Sequence, residues 1–188
     1  GVVGLCGIDT RELTVILRSS GVMRGAIVTG EKSGAEIKKI IDSLDNSDVI
    51  MRTTAKKKYV YSKGTKYNIA FIDMGAKTNI LRSLAAEDAT VTVFPANVSA
   101  EEILAEKPDL VFISNGPGDP LDAPGTVDTV RALIGKIPVC GICMGHQIIG
   151  LALGCKTKKL KFGHHGGNHP VKDRETGRVF ITSQNHNY

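Results

Sequence analysis

The fold of this chain is decided by residues 138–147, which read Pro138-Val139-Cys140-Gly141-Ile142-Cys143-Met144-Gly145-His146-Gln147. A short apolar run enters a Gly-x-Cys-x-Gly turn, and a helix-forming segment follows. This is the thiol form of the nucleophile elbow, a sharp strand-to-helix turn that holds its nucleophile in strained backbone. Gly141 and Gly145 have no side chains that would clash in such a turn. The pattern predicts Cys143 at the amino end of a helix, where the helix dipole and free N–H groups favour the reactive thiolate.

The residue types alone leave three other interpretations of these cysteines open. Cys140 and Cys143 have the Cys-x-x-Cys spacing of a redox dithiol, although alternation along the strand turns Cys140 toward the core. A zinc half-site would need a second pair of ligands at matching spacing, and the sequence has none. Cys143 could also be a packing cysteine in a glycine-rich turn.

Strands and helices alternate around the elbow. From residue 67 the sequence predicts strands at 68–73, 90–94, 109–114 and 137–140. It predicts helices between and after them, at 77–86, from Ser99 onward, at 126–134 and at 144–153. This alternation indicates βαβ units and a parallel sheet, whose sites lie at the carboxyl ends of the strands. Beyond Cys155 three further strands, at 158–162, 168–171 and 178–182, predict an antiparallel appendage.

The first part of the chain follows a different pattern. Two helix-capping pairs, Asp9 with Glu12 and Ser33 with Glu36, predict the starts of two helices. The predicted order is a helix, a strand, a second helix and a polar, basic connector, at residues 10–20, 23–29, 34–44 and 45–66.

A glycine- and proline-rich segment, Ser114-Asn115-Gly116-Pro117-Gly118-Asp119-Pro120, follows the predicted strand at 109–114. These residue types are typical of a tight turn, and no Gly-Lys-Ser/Thr follows to make a phosphate-binding Walker loop. The functional interpretation is that backbone N–H groups of this loop face the cysteine turn from a neighbouring strand end. Gly116 and Gly118 would let a substrate carbonyl approach closely.

Histidines cluster in a second segment, Gly163-His164-His165-Gly166-Gly167-Asn168-His169-Pro170. Three histidines suggest a metal, but glycine and proline break the regular spacing of ligands, and no acidic residue or cysteine adjoins. An ordered turn or interface loop is the prediction here, with no metal site. The last residues, Ser183-Gln184-Asn185-His186-Asn187-Tyr188, have no interpretable pattern by themselves.

Composition excludes several classes of protein. The chain has 188 residues, of which 41% are hydrophobic and 23% charged, as in ordinary globular proteins. No apolar run approaches the ~18 residues that a membrane-spanning helix needs. Four cysteines without framework spacing, and no signal-peptide pattern, favour the cytoplasm over a secreted disulfide scaffold.

The formal charge of +5 does not indicate nucleic-acid binding. Residues 1–66 hold 12 basic and 7 acidic side chains, whereas residues 67–188 hold 12 of each. The excess therefore belongs to the first third of the chain, partly to the run Lys56-Lys57-Lys58. A nucleic-acid surface usually interleaves aromatic with basic residues, and the chain has four Tyr, five Phe and no Trp. We predict no nucleic-acid partner.

Together these residues resemble the small, glutamine-hydrolysing subunits of carbamoyl-phosphate synthase, which are class I glutamine amidotransferases with a Cys-His-Glu triad. The similarity covers nearly the whole chain, at residues 7–14, 72–82, 114–120, 141–147, 161–171 and 184–186. Most class I amidotransferases share only the cysteine elbow and the Gly-Pro-Gly loop. The Asp9-Thr10-Arg11 start and residues 162–171 point to this subunit family.

The resemblance implies an α/β fold with a flavodoxin-like, mostly parallel sheet, helices on both of its faces and an antiparallel appendage. It also implies two domains. Residues 1–66 would be the last part of a smaller α+β amino-terminal domain with its connector. Residues 67–188 would be a class I amidotransferase domain that is incomplete at its carboxyl end.

The resemblance also implies a reaction. Cys143 attacks the side-chain amide of glutamine, a thioester forms and ammonia leaves. Gly116 and Gly118 match the loop that holds the substrate and helps to form the oxyanion hole, and the Met144 N–H is the expected second donor.

Four further positions match the glutamine pocket. Gln147 contacts glutamine from the elbow helix, and the far wall is formed by Asn185 and by the backbone at Asn187 and Tyr188. The usual residue at position 187 is glycine. Asn tolerates a left-handed backbone better than other non-glycine residues, so we expect the turn to persist.

In the family, ammonia passes to a large synthetase subunit and reacts with ATP-activated bicarbonate. The product is carbamoyl phosphate, which is used for pyrimidines and arginine. The implied partners are L-glutamine and the large subunit. No cofactor is expected in this chain, because ATP and Mg²⁺ belong to the large subunit.

One departure concerns the catalytic base. The family's general-base His and its orienting Glu lie in a His-Pro-Glu motif well beyond the Gln184-Asn185-His186 block, and residues 1–188 contain no such motif. A serine of the amino-terminal domain that contacts glutamine is also absent. A cysteine without its base is a weak nucleophile toward an amide. We therefore expect residues 1–188 by themselves to have negligible glutaminase activity, and nothing supports substitution by His146, His164 or His165.

Two alternatives remain at this point. One is another class I amidotransferase or thiol hydrolase on the same sheet. The other is a non-catalytic docking subunit that keeps the fold, although the intact Cys143, Gly116 and Gly118 argue against such decay.

Overall fold

Two compact units make up the computed structural model, which describes residues 2–188. Residues 46–157 form one, here called the sheet unit, and residues 2–45 with 158–188 form the other, the hairpin unit. The domain boundary placed after residue 66 stays a prediction. The segment predicted as a connector adds a short helix and an edge strand to the sheet unit.

Helices and strands alternate as predicted through the sheet unit. Over the two units together, the helices are α1 (Thr10–Ser20), α2 (Gly34–Asp42), α3 (Val49–Thr53), α4 (Thr78–Ala86), α5 (Ala100–Ala105), α6 (Pro124–Leu133) and α7 (Met144–Ala152). The strands are β1 (Tyr59–Ser62), β2 (Tyr67–Asp73), β3 (Ala89–Pro95), β4 (Leu110–Ile113), β5 (Val139–Gly141), β6 (His164–Lys172) and β7 (Val179–His186). A 3₁₀ turn covers Pro120–Asp122.

The central sheet has the strand order β1-β3-β2-β4-β5, with β2 to β5 parallel and β1 antiparallel at one edge. In the middle, Ile69 of β2 pairs with Val91 of β3 on one side and with Leu110 of β4 on the other. The chain order thus reverses between β2 and β4, and ligands of open α/β sheets bind beyond the carboxyl ends of strands at such a point. The predicted flavodoxin-like, mostly parallel sheet is confirmed.

Both faces of this sheet are covered, because successive strand residues point to opposite sides. Ile69 and Phe71 of β2 pack with α4 on one face, where Phe71 stacks on Phe112 with 5.6 Å between ring centroids. Ala70 and Ile72 belong to the core on the other face, with α5, α6 and α7. Burying a side chain such as Phe71 contributes roughly 1.5–3 kcal/mol. Helices on both faces, as predicted, therefore supply the sheet with its core.

The first two helices begin at the predicted caps. The Asp9 carboxylate accepts from the Glu12 N–H at 2.9 Å, and Ser33 and Glu36 form a reciprocal capping box. Gly21, at φ 86°, ends α1. Neither helix contains a fully buried residue, and a cap of this type contributes about 1 kcal/mol to its helix.

Two predicted strands of the hairpin unit do not form. Residues 23–29 and 158–162 have no regular strand structure. An isolated backbone bond lies next to them, from the Val22 N–H to the Lys161 carbonyl at 3.2 Å. A strand needs a ladder of such bonds with a partner. The prediction was wrong because β-forming residues do not by themselves show whether a partner is present.

The antiparallel appendage is confirmed as a hairpin of β6 and β7. The strands predicted at 168–171 and 178–182 are confirmed as parts of β6 and β7. The turn or loop predicted at 163–170 was wrong, because β6 already begins at His164. Its glycines and Pro170 suggested a turn. In the hairpin the register shifts between Gly166 and His169, and an irregularity of this kind accommodates residues that do not fit the ladder.

Candidate active site

Cys143 occupies the strained turn between β5 and α7. Its backbone has φ 54° and ψ −105°, and it is the N-cap of α7. Such a conformation is uncommon for a residue with a side chain and costs on the order of 1–3 kcal/mol, so the surrounding structure must hold it. Met144, the next residue, is only 1% exposed and anchors the start of the helix in the core, whereas Cys143 is exposed.

Gly141 and Gly145 permit this turn by letting backbone segments approach closely. A Cβ on Gly145 would collide with the Ile113 carbonyl oxygen and lie 2.9 Å from the Ile113 Cβ. A Cβ on Gly141 would lie 2.6 Å from the carbonyl carbon of Gly145. Contacts under 3.0 Å are essentially never seen for real Cβ atoms. The first turn of α7 therefore lies directly against the end of β4.

The Gly-Pro-Gly loop after β4 packs just as closely on the end of β2. A Cβ on Gly116 would collide with the Met74 carbonyl oxygen and lie 2.9 Å from the Met74 Cβ. Gly118 has φ 89°, and a Cβ there would lie 2.7 Å from a side chain of α3. Ile113 pairs with Gly141 across β4 and β5. The glycine loop and the cysteine elbow thus begin side by side, at the carboxyl ends of the neighbouring strands β4 and β5.

Ser114 joins three of these segments and is fully buried. Its Oγ accepts from the Met74 N–H at 2.8 Å and donates to the Asn115 carbonyl at 2.6 Å. Its own carbonyl accepts from the Gly145 N–H at 3.0 Å. One residue thus connects the end of β2, the loop after β4 and the first turn of α7. This role was not predicted, and the only available signal was a serine directly following an apolar strand.

Asp73 closes the end of β2. One of its carboxylate oxygens accepts from the N–H groups of Gly75 and Ala76 at 2.9 and 2.8 Å, and the other accepts from the Ala55 N–H at 2.8 Å. Charge-assisted bonds of this type are stronger than neutral ones. These bonds hold the turn that begins at Asp73, and Gly116 packs on Met74 of that turn. Asp73 therefore helps to position the glycine loop. This role was not predicted either.

Cys140 lies in a different environment from Cys143. It pairs with Phe112 in the ladder between β4 and β5, and both cysteines are free thiols. Burial raises the pKa of the Cys140 thiol. The attacking sulfur of a redox dithiol is a thiolate, so this environment speaks against the Cys-x-x-Cys interpretation.

The predicted site residues fall into two groups. Five belong to the sheet unit, at the carboxyl ends of β4 and β5: Gly116, Gly118, Cys143, Met144 and Gln147. Three belong to the hairpin unit, at the end of β7 and just beyond it: Asn185, Asn187 and Tyr188.

In the hairpin unit, the ring of His165 lies between two of these residues. Its Nδ1 is 2.7 Å from Asn185 Oδ1 and its Nε2 is 3.1 Å from Asn187 Oδ1. Gly163, at φ 67°, leaves the space for this arrangement, because a Cβ there would lie 2.6 Å from both His165 Nε2 and Asn187 Oδ1.

The other histidines of the hairpin contact one another. His164 Nδ1 is 3.1 Å from His186 Nε2, and the ring of His164 also packs on His169. Desolvation, and then the neighbouring His186 and His169, lower the pKa of His164. Within residues 2–188, no three His, Cys, Asp or Glu side chains are grouped as a metal site would require. The same residues include no helix that is long and apolar enough to cross a membrane.

Comparison with known proteins gives one family. The sequence pattern of class I glutamine amidotransferases matches residues 70–188. Among curated proteins, the carbamoyl phosphate synthase small chain of Clostridium perfringens is 49% identical over 187 residues, covering 100% of this chain and 53% of the relative. The small chain of Bacillus caldolyticus is 46% identical and that of Methanopyrus kandleri 47%, each covering 100% of this chain, with 52% and 54% of the relative matched. The chain thus spans about half the length of the curated relatives it matches.

Proposed function

The chain belongs to the class I glutamine amidotransferase family, and on that premise we propose that it acts as the glutaminase part of a carbamoyl-phosphate synthase small subunit. The observation that carries this proposal is the backbone of Cys143. It is a strained elbow at the start of α7, next to a glycine loop that leaves the adjacent strand at the same level. The relatives' names support the choice of synthase.

In the first step, the Cys143 thiolate attacks the side-chain carbonyl carbon of glutamine. A carbon–sulfur bond forms and the carbonyl oxygen becomes an oxyanion. The N–H of Met144 is the first of α7, and the first N–H groups of a helix have no partner within it. It and the N–H groups of the Gly116–Gly118 loop donate to the oxyanion, which is the usual arrangement after a nucleophile elbow.

In the second step, the bond between the carbonyl carbon and the amide nitrogen breaks. The nitrogen takes up a proton and leaves as ammonia, and a γ-glutamyl thioester stays on Cys143. Water then attacks this thioester, which releases glutamate and restores the thiol. Both steps need a group that moves protons. The family resemblance assigns it to a His-Pro-Glu motif that residues 1–188 do not contain, so we propose that these residues alone release little ammonia.

Four further residues are proposed to contact glutamine. Gln147 contributes from the first turn of α7, where its N–H donates to the Cys143 carbonyl at 3.1 Å. Asn185 contributes its side chain, and Asn187 and Tyr188 their backbone. These assignments rest on the matching motif positions.

Ammonia is then used by a large synthetase subunit, which we propose as the partner. That subunit binds ATP and Mg²⁺ and makes carbamoyl phosphate from activated bicarbonate, whereas this chain binds no cofactor. The complex works in the cytoplasm and supplies pyrimidine and arginine synthesis.

The test measures ammonia released from L-glutamine by the full-length gene product that contains these residues, with and without a large subunit. We expect Cys143→Ser to lower the rate at least about 1,000-fold, since loss of a covalent nucleophile typically costs that much or more. Cys155→Ser, at another exposed cysteine, is the matched control and should keep the rate.

Other outcomes would point elsewhere. If the rate of ammonia release were the same with and without the large subunit, a different amidotransferase would be favoured. No release under any condition, or full release by the Cys143→Ser variant, would contradict the proposal.

A further inference from the structure

The two contacts of His165 have no part in the reaction as proposed. One of them indicates which ring nitrogen of His165 carries the proton. The distance of 2.7 Å joins His165 Nδ1 to the carboxamide oxygen of Asn185. An amide oxygen only accepts hydrogen bonds, so Nδ1 must carry the proton and donate. In a neutral imidazole the other nitrogen, Nε2, is then an acceptor.

The contact on the other side of the ring is longer, and it too is placed with an amide oxygen toward the ring, since Asn187 Oδ1 lies 3.1 Å from Nε2. A neutral ring cannot donate from both nitrogens, and the oxygen and NH₂ group of an amide are assigned by their surroundings. The Nδ1–H tautomer keeps the shorter contact as placed and therefore requires Asn187 to present its NH₂ group. Its side chain fills the space that Gly163 leaves open.

The consequence concerns what Asn185 offers to a ligand. Its carboxamide has one acceptor oxygen and two N–H donors. The oxygen is engaged by His165, and within the described part of the chain Asn185 Nδ2 has no protein acceptor. The NH₂ group is therefore the part of Asn185 that suits a ligand acceptor such as a carboxylate or carbonyl oxygen.

We propose that His165 is a positioning residue of the glutamine pocket: it holds the carboxamide of Asn185 so that its N–H donors face an acceptor oxygen of glutamine. The inference rests on the proposed function, because the assignment of Asn185 to the pocket comes from the family motif. Asn187 braces the ring of His165 from the opposite side.

A pair of substitutions at His165 separates the two contacts. An asparagine side chain places its amide nitrogen, a donor, where histidine has Nδ1, and a glutamine side chain can place its amide oxygen, an acceptor, near Nε2. His165→Asn therefore keeps the donor to Asn185 and loses Asn187. His165→Gln does the reverse, so the two variants serve as each other's control.

The probe is a chloroketone analogue of L-glutamine, which alkylates the Cys143 sulfur once it is seated. In the full-length gene product we expect saturable alkylation. His165→Gln should raise the half-saturating concentration about fivefold, the effect of losing one ordinary hydrogen bond. His165→Asn should change it less than about twofold, and the maximal rate should stay the same in both. A merely structural role would affect both variants alike.

A second readout is independent of catalysis. Nitrogen-15 spectra of the histidine-labelled protein, with the His165 signal assigned by its loss in His165→Asn, should show the proton on Nδ1. A proton on Nε2, or equal effects of the two substitutions, would overturn the positioning role while saturable alkylation upheld the glutaminase. If the wild-type protein is not saturably alkylated, the proposed function fails, and the tautomer still decides whether His165 holds Asn185.

Discussion

The buried hydroxyl of Ser114 lies 2.8 Å from the backbone nitrogen of Met74, across the point where the sheet reverses its strand order. The bond joins the end of β2 to the end of β4. Because the Ser114 carbonyl also accepts from the Gly145 N–H, the same residue reaches the first turn of the cysteine helix. Ser114 thus links the end of β2 through its side chain and the cysteine elbow through its backbone carbonyl.

Replacement of this hydroxyl should therefore be costly. In Ser114→Ala the Met74 N–H loses its partner in the core, and an unsatisfied buried donor costs about 1–3 kcal/mol. We expect a loss of that size in the free energy of unfolding, measured with urea. Ser83→Ala is the matched control, because the exposed Ser83 hydroxyl donates only to the Asn79 carbonyl of its own helix. It should stay within about 0.5 kcal/mol, and equal losses in the two variants would show that the Met74 bond is unimportant.

A second prediction compares two glycines of the same helix. Gly145→Ala places a methyl group on the carbonyl of Ile113, which should cost about 1–3 kcal/mol or more, since backbone at the end of β4 must move. At Gly150 an added Cβ would meet only Cys155, at 3.8 Å. Gly150→Ala should stabilise the protein by about 0.5–1 kcal/mol through helix propensity. Thermal unfolding of both variants tests this, and similar shifts in the same direction would contradict it.

These glycines and Ser114 show where prediction from the sequence stops. The elbow was predictable because Gly-x-Cys-x-Gly between an apolar run and a helix is a local pattern. The strands of the sheet were predictable for the same reason, through apolar runs of strand length. The bond from Ser114 to Met74 joins residues 40 positions apart, so no local pattern contains it.

In the hairpin unit, local sequence patterns predicted the wrong secondary structure for two segments. Residues 163–170 have the glycines and proline of a turn, but pairing with β7 makes most of them a strand. Residues 23–29 have strand-forming side chains but no ladder. In both segments the decisive term is the presence of a partner strand, which composition does not reveal.

A third prediction concerns pH and helix α2. The Ser33 N–H and then the Ser33 hydroxyl donate to Glu36 and lower the pKa of its carboxyl group. A lowered pKa in the folded state means that this capping interaction stabilises the helix above the ordinary pKa of glutamate. The stabilisation is lost as the pH falls through the lowered value. Carboxyl-carbon NMR titration should give Glu36 a pKa below its ordinary value.

Ser33→Ala removes the hydroxyl that donates to the Glu36 carboxylate and accepts from the Glu36 N–H, but it keeps the Ser33 N–H donor. It should therefore raise the Glu36 pKa part of the way. Glu102 is the internal reference, because the N–H and hydroxyl of Ser99 lower its pKa by the same pair of bonds. An unchanged Glu36 titration in Ser33→Ala would show that the hydroxyl contributes nothing to the cap.

The last prediction concerns the order in which the four cysteines react. Cys6, Cys143 and Cys155 are exposed, so exposure alone does not distinguish them. Cys143 differs because it is the N-cap of α7, and cysteines at the amino ends of helices are as a class more reactive. Cys140 is partly buried and its pKa is raised, so its thiolate fraction should grow only at higher pH. With limiting iodoacetamide at neutral pH, mass mapping should find Cys143 modified first and Cys140 last. In guanidinium the four rates should converge, because the differences come from the fold, and earlier labelling of Cys6 or Cys155 in the folded protein would contradict the elbow's effect on the thiol.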